Sequence, residues 1–130
     1  MAQYIKIRHL LIASLALLNV ANADVMLKNE ADIIGKWDLY AEAARIDGEK
    51  KQLMVEWDFQ NGGVLQTTAT DSFGRTKEFK TALKYSVVDG AIKKQSTPGR
   101  EKYESCMVVE KDSKQMVLKC TYLYFFLTKK

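Results

Sequence analysis

Carboxylates spaced two apart are the first residues in this chain with the types and spacing to do chemistry. Glu56 and Asp58 form one such set, and Asp38 and Glu42 lie four apart in the preceding segment. A pair of acids in a cleft can divide acid and base roles, because a shared environment separates their proton affinities. The other chemistry on offer is sulfur, in Cys106 and Cys120. Imidazole is confined to His9. If that residue leaves with a leader, the remaining chain has no histidine general base and no histidine metal ligand.

Residues 1–23 carry the marks of such a leader. Lys6, Arg8 and His9 precede the apolar run Leu10 to Val20, which ends in Ala21-Asn22-Ala23. This is the three-part pattern of a secretory signal with a small-residue cleavage site, so the mature protein is expected to begin at Asp24. An apolar run of about eleven residues falls short of the roughly twenty that a spanning helix needs, so no stable membrane span is expected after cleavage. The expected location is periplasmic or secreted. Loss of Lys6 and Arg8 takes the formal charge from +4 to +2. So small an excess gives no electrostatic case for nucleic acid.

The elements that carry the acids are strands. Gly35, Trp37, Leu39, Ala41 and Ala43 alternate with Lys36, Asp38, Tyr40 and Glu42, and Leu53, Val55, Trp57 and Phe59 alternate with Glu56, Asp58 and Gln60. Period-two alternation describes a strand with one face buried, which sends both acid pairs to water. The chain is therefore not expected to be an enzyme. The same rhythm continues through 62–71, 77–88, 91–95, 101–110, 115–120 and 122–128. Asn61-Gly62-Gly63 and Asp89-Gly90 supply hairpin turns, because glycine and aspartate tolerate positive φ. Only Asn29 to Ile34 reads as a helical turn.

Eight short strands in residues 24–130 make one all-β domain. Left flat, the sheet would expose pairing edges, and closing it into an antiparallel up-and-down barrel removes them. A two-sheet sandwich is the alternative that periodicity leaves open. Two cysteines in an exported chain are expected to form a disulfide. Cys106 shares its alternation with Glu104 and Glu110 while Cys120 shares its own with Leu118 and Met116, so that hairpin is expected to contain a bulge.

Gly35-x-Trp37, Trp57-x-Phe59-x-x-Gly62-Gly63, Tyr85-Ser86-Val87-x-Asp89-Gly90 and Met116-Val117-Leu118 follow one another in an order that resembles the bacterial lipocalin-like domains. The resemblance covers about residues 33–128. It implies an eight-stranded barrel, often exported, whose interior holds an apolar small molecule without a cofactor. It makes Trp37 a packing residue at the closed end, with Gly35, Gly62 and Gly90 as structural glycines. The family usually packs a last-strand arginine across that tryptophan, and here only Lys129 and Lys130 follow the aromatic strand.

An interior of this kind is lined, on the alternation above, by Trp57, Phe59, Phe79, Thr81, Leu83 and Tyr85, with Tyr103 as a further polar contact. Small residues at Ala41, Ala43, Ala69 and Thr81 would leave room near one mouth. The leading expectation is non-covalent binding of an apolar or aromatic molecule. The alternative is a filled barrel acting as an inhibitor or accessory subunit of a periplasmic protein. Lys80, Lys84, Lys93 and Lys94 are expected on outer faces. Both faces of 122–128 are apolar, so its outer face is expected to be covered by residues 24–32, or else to meet a partner or a second copy.

Overall fold

The structure is a computed structural model that describes residues 24–70 and 77–130. The expected leader lies outside the described residues, as does Asp71 at the end of the third expected strand. Eight strands follow one another: β1 Gly35–Ala43, β2 Lys51–Gln60, β3 Val64–Ala69, β4 Phe79–Val88, β5 Ala91–Gln95, β6 Tyr103–Lys111, β7 Gln115–Lys119 and β8 Tyr124–Lys129. Each pairs antiparallel with the next, and β8 returns to β1, giving a closed barrel in strand order. The sandwich alternative is thereby excluded.

Turn chemistry fixes one end. Asp89 and Gly90 have φ of 52° and 82°, the two positive values a type I′ hairpin needs, and Gly62 and Gly63 have φ of 88° and 79°. At the third turn of this end, Asp112 accepts the backbone N–H groups of Lys114 and Gln115 at 2.8 Å each.

The same end is plugged. Residues ahead of β1 form one 3-10 turn, Glu30–Asp32, capped by the Asn29 side chain accepting from the Ala31 N–H. Upstream of it, Val25 donates to the Val108 carbonyl at 2.7 Å and Leu27 to the Gly90 carbonyl at 3.0 Å. This segment continues the sheet beside β6 where β5 has ended, and it drops Leu27 and Ile33 into the core. It therefore closes the barrel, and does not cover β8 as expected. The Trp37 indole donates to the Ile33 carbonyl at 3.0 Å, and the Lys129 ammonium lies 4.7 Å from the centre of the Trp37 ring. Lys129 thus packs across the Trp37 ring, and it also donates to the Ile34 carbonyl. Burial, and then the charge of Lys111, holds its ammonium below the ordinary lysine range.

Two bulges decide which residues face inward. In β1 the register shifts between Leu39 and Ala41 against both neighbours. Beyond this bulge the faces exchange. Ala41 and Ala43, expected inside, instead pack with Val117, Phe126 and Tyr124 in a separate cluster on the outer face. That cluster, with the Lys50 ammonium 4.3 Å above the Phe126 ring, is what covers β8. Both edges of β8 are hydrogen-bonded, to β1 and β7, so it offers no free edge to a second copy.

The second bulge, between Val108 and Glu110, is the one that the cysteine parity anticipates. It turns Glu110 outward and leaves Cys106 and Cys120 facing each other as a disulfide with 4.1 Å between Cα atoms. Replacing both cysteines by alanine is expected to lower the unfolding free energy by about 3 kcal/mol, since the bridge closes a loop of about fifteen residues. A urea titration with a lowered midpoint and a slope equal to or steeper than that of the native protein would verify this.

Gly35 has φ of 119°, and a Cβ there would lie 2.5 Å from the Lys129 amine. The Gly35→Ala variant is therefore expected to lose about 1–3 kcal/mol from backbone strain alone. Pairing it with Lys129→Ala should recover only the steric part, as thermal melts of the two variants would reveal.

Candidate functional site: an open cup in the barrel

Cross-strand register arranges the inward residues in rows. Gly35, Phe59, Leu65 and Leu83 form one, Trp37, Trp57, Thr67 and Thr81 the next, and Leu39, Val55, Ala69 and Phe79 the third. Burial decreases along this series on β2, β3 and β4. Phe59 and Leu65 are wholly buried; Thr67, Thr81, Val55 and Ala69 are half-buried; Phe79 is 70 % exposed. Inward-facing side chains reach water through an open end or, for those of 79–84, beside β4 beyond its pairing with β5, which covers only Tyr85–Val88. Among the described residues, the half of the barrel toward the 44–50, 96–102 and 120–123 connections is accordingly the less filled one, a candidate cup, whereas the half below is packed.

Aromatic rings make the floor. Phe125 lies 5.5 Å from Trp57, Trp57 meets Phe59 edge-on at 6.0 Å, and Phe59 meets Tyr85 edge-on at 5.0 Å. Leu53, Val55, Leu83 and Phe125 are half-buried walls resting on this core. The Tyr85 hydroxyl donates to the Gln60 carbonyl at 2.9 Å, so it is occupied beneath the floor. Burial first, then the charges of Glu30 and Asp58, pushes its phenol up to about 12.

One charged pair stands on the wall. Ile92 and Lys94 share a face of β5, and Ile92 is fully buried, so Lys94 also points inward, 7 % exposed. Its ammonium donates to Glu104 at 2.9 Å and sits 5.5 Å from the centre of the Trp57 ring. The other Glu104 oxygen accepts the Thr121 N–H at 3.3 Å. Burial alone raises the Glu104 carboxyl, but the hydrogen bond and charge of Lys94, with Thr121, outweigh it and hold the group below its ordinary value. Glu104 also lies with the Cys106 and Cys120 sulfurs in a group of metal-ligand geometry. Both sulfurs are bonded to each other, so that group offers a metal only one carboxylate.

The expected site residues therefore separate. Trp57, Thr81 and Leu83 belong to the cup. Phe59 and Tyr85 lie below it, too buried to touch a ligand there. Phe79 has the inward parity, but it stands at the rim, largely exposed among the described residues. Tyr103 is corrected to the outer face, under the Lys93 ammonium at 5.5 Å, because the inward residues of β6 are Glu104, Cys106 and Val108. Lys94 leaves the expected outer basic group. Of the acids, Asp38 and Glu56 lie opposite each other outside, with the Lys130 ammonium at 3.5 and 3.2 Å. Glu42, expected outward, is turned to the inner face by the β1 bulge and pairs with Phe125. Lys94, Glu104, Phe125 and Glu42 were not anticipated as lining residues, although the shared face of Ile92 and Lys94 signalled the first; Leu53 was placed inward by its alternation with Val55, Trp57 and Phe59.

Compared with protein-family models and with curated protein sequences, the chain matches none. Two solved structures share its fold. One is a lipocalin-like protein from Bacteroides uniformis, with a TM-score of 0.62 and 18 % identity, covering 76 % of this chain and 99 % of that one. The other, an uncharacterized protein from Bacteroides eggerthii, has a TM-score of 0.59 and 17 % identity, covering 75 % and 98 % respectively. The fold is that of the bacterial lipocalin-like barrels.

Tyr85 supplies a test of the floor. Its folded phenol titrates near 12, above the ordinary value of 10.0. The folded state then holds its proton longer than the unfolded state, so this contribution is complete below pH about 10 and is lost as pH rises toward 12. Urea unfolding at successive pH values should show stability falling across that window, by about 1–3 kcal/mol more in the native protein than in Tyr85→Phe.

Proposed function

We propose that this protein is an exported, non-catalytic binder that holds a small apolar or aromatic molecule in the open half of its barrel. The observation that carries the reading is the partial exposure of inward residues such as Leu53, Val55, Thr81 and Phe125, above a floor that includes Trp57. A ligand seated there would remove apolar wall from water, worth about 25 cal/mol per Å². A few polar groups among apolar walls is the usual composition of a small-molecule site. The fold shared with a lipocalin-like protein supports the same reading. A barrel acting only through its outer surface has no need of half-exposed inner walls, so the protein-interaction alternative gains no support from them.

Export is inferred from the leader-like residues 1–23 together with the disulfide, which needs an oxidising compartment to persist. The proposal that the protein is not an enzyme rests on the acids: Asp38 and Glu56 are engaged outside by Lys130, and of the inward acids among the described residues Glu104 is already held by Lys94 and the Thr121 N–H, which leaves Glu42 without a second free carboxylate to share acid and base roles.

Native mass spectrometry of the protein from its own compartment tests the reading. The expected spectrum shows a chain beginning at Asp24 with a non-covalent mass that disappears on denaturation. Thr81→Trp should fill the cup, removing that mass and leaving the melting temperature within a few degrees. A bare protein, also bare after incubation with lipid and aromatic mixtures, would refute it.

A further inference from the structure

We infer that the Lys94–Glu104 pair is the polar anchor of the cup, and that the ligand class is an uncharged apolar or aromatic molecule bearing one oxygen acceptor, such as a hydroxyl or carbonyl. This rests on the reading of the cup as a binding site.

The argument begins with what the pair costs. Lys94 is 7 % exposed, and its head group lies on the inner wall between Glu104 and the Trp57 ring. Taking two charges from water is repaid only when geometry and further hydrogen bonds are good, and an apolar pair of similar volume often stabilises a fold as well or better. Closure of the barrel does not need the Lys94 ammonium, whereas Glu104 ties β6 to the 120–123 connection through the Thr121 N–H. β5 and β6 are joined there by backbone pairing of Lys94 with Glu104, which any residues would provide.

The pair also has unused capacity of one kind. An ammonium carries three donors and no acceptor. One Lys94 donor goes to Glu104, and among the described residues no other hydrogen bond leaves the ammonium. Glu104 is held from the far side by Thr121, so its carboxylate is anchored to the 120–123 connection. The wall thus offers a ligand a charged donor beside an aromatic face.

Glu104 sets the ligand's charge. A ligand carboxylate on Lys94 would stand next to the Glu104 carboxylate, and two like charges at one site disfavour each other's ionised forms. A ligand ammonium would meet Lys94 itself. A neutral oxygen avoids both penalties and gains a charge-assisted hydrogen bond.

Titration of the native protein with naphthalene, 1-naphthol and 1-naphthoate, followed by amide NMR shifts, separates these possibilities. 1-Naphthol is expected to bind at least tenfold more tightly than either of the others, and to shift the Thr121 amide, which reports on Glu104. In Lys94→Met/Glu104→Leu the cup stays apolar, so the preference for 1-naphthol over naphthalene should fall below threefold with no loss of thermal stability. Equal affinity for 1-naphthol and naphthalene in the native protein, tighter binding of 1-naphthoate, or a preference that survives in the double variant would each overturn the anchor while leaving the cup intact. Should the double variant not fold, the native titration and the Thr121 shift decide alone. Binding of none of the three probes would overturn the cup reading, and the anchor with it.

Discussion

β1 is hydrogen-bonded on both edges, to β2 and to β8, and the rest of the barrel depends on that double pairing. An open eight-stranded meander would leave the outer edges of β1 and β8 unpaired, a template for association with other chains. Closing them against each other satisfies those backbone groups and divides every side chain into inside or outside. The bulge near Tyr40 occurs in both ladders at once, so it cannot be relieved by slipping against one neighbour. Because strand side chains have a period of two, one extra residue exchanges the faces of all that follow. Trp37 and Leu39 consequently build the core, whereas Ala41 and Ala43 lie outside beneath Phe126.

The two ends of the barrel are then built on different principles. At the closed end, Leu27, Ile33, Trp37 and Phe59 fill the interior, with Lys129 over the indole and the Trp37 N–H bonded to Ile33. This is dense packing, in which a lost methylene leaves a void. Toward the other end the inward residues shrink to Thr67, Ala69 and Thr81 on one side, and Leu53 and Phe125 remain unburied on the other. A barrel of this strand number has just enough width either to be filled or to hold one ligand. Here it is filled below and, among the described residues, less filled above, with the disulfide between β6 and β7 facing inward beside Glu104.

Much of this was legible because it depends on local patterns. Alternation, helped by β-branched and aromatic content in the third and last strands, located the strands, and Asp89-Gly90 announced its turn by residue type alone. The second bulge could be inferred because Cys106 and Cys120 had conflicting parities, and a bridge must reconcile them. No such conflict marked the first bulge. Ala41 and Ala43 continue the alternation of Trp37 and Leu39 without a break, and alanine is small enough for either face, so the exchange was invisible. Phe79 and Tyr103 fail for separate reasons. Parity gives the side of the sheet and not the height along the barrel, which is what exposes Phe79. For Tyr103 the inward set of β6 could be read from Cys106, but its ring was assigned to the interior by type. The sequence did not make any ligand legible, since an apolar wall records size and shape more than chemistry.

Lys94 is where sequence pattern and physical cost disagree most. Its neighbour Lys93 is exposed on the outer face, as a lysine in a strand usually is, and two adjacent lysines read as a single basic patch. Alternation nevertheless requires one of any two adjacent strand residues to point inward, and Ile92 fixes which. A chain under selection for stability alone has a simple remedy in an apolar residue at this position. The buried ammonium persists with a carboxylate that itself is tied to the rim by Thr121, so both charges are held in place. Under the proposed reading, fixed charges of opposite sign on an otherwise apolar wall would give the cup direction, orienting a bound molecule by its one polar atom while the aromatic floor holds the remainder.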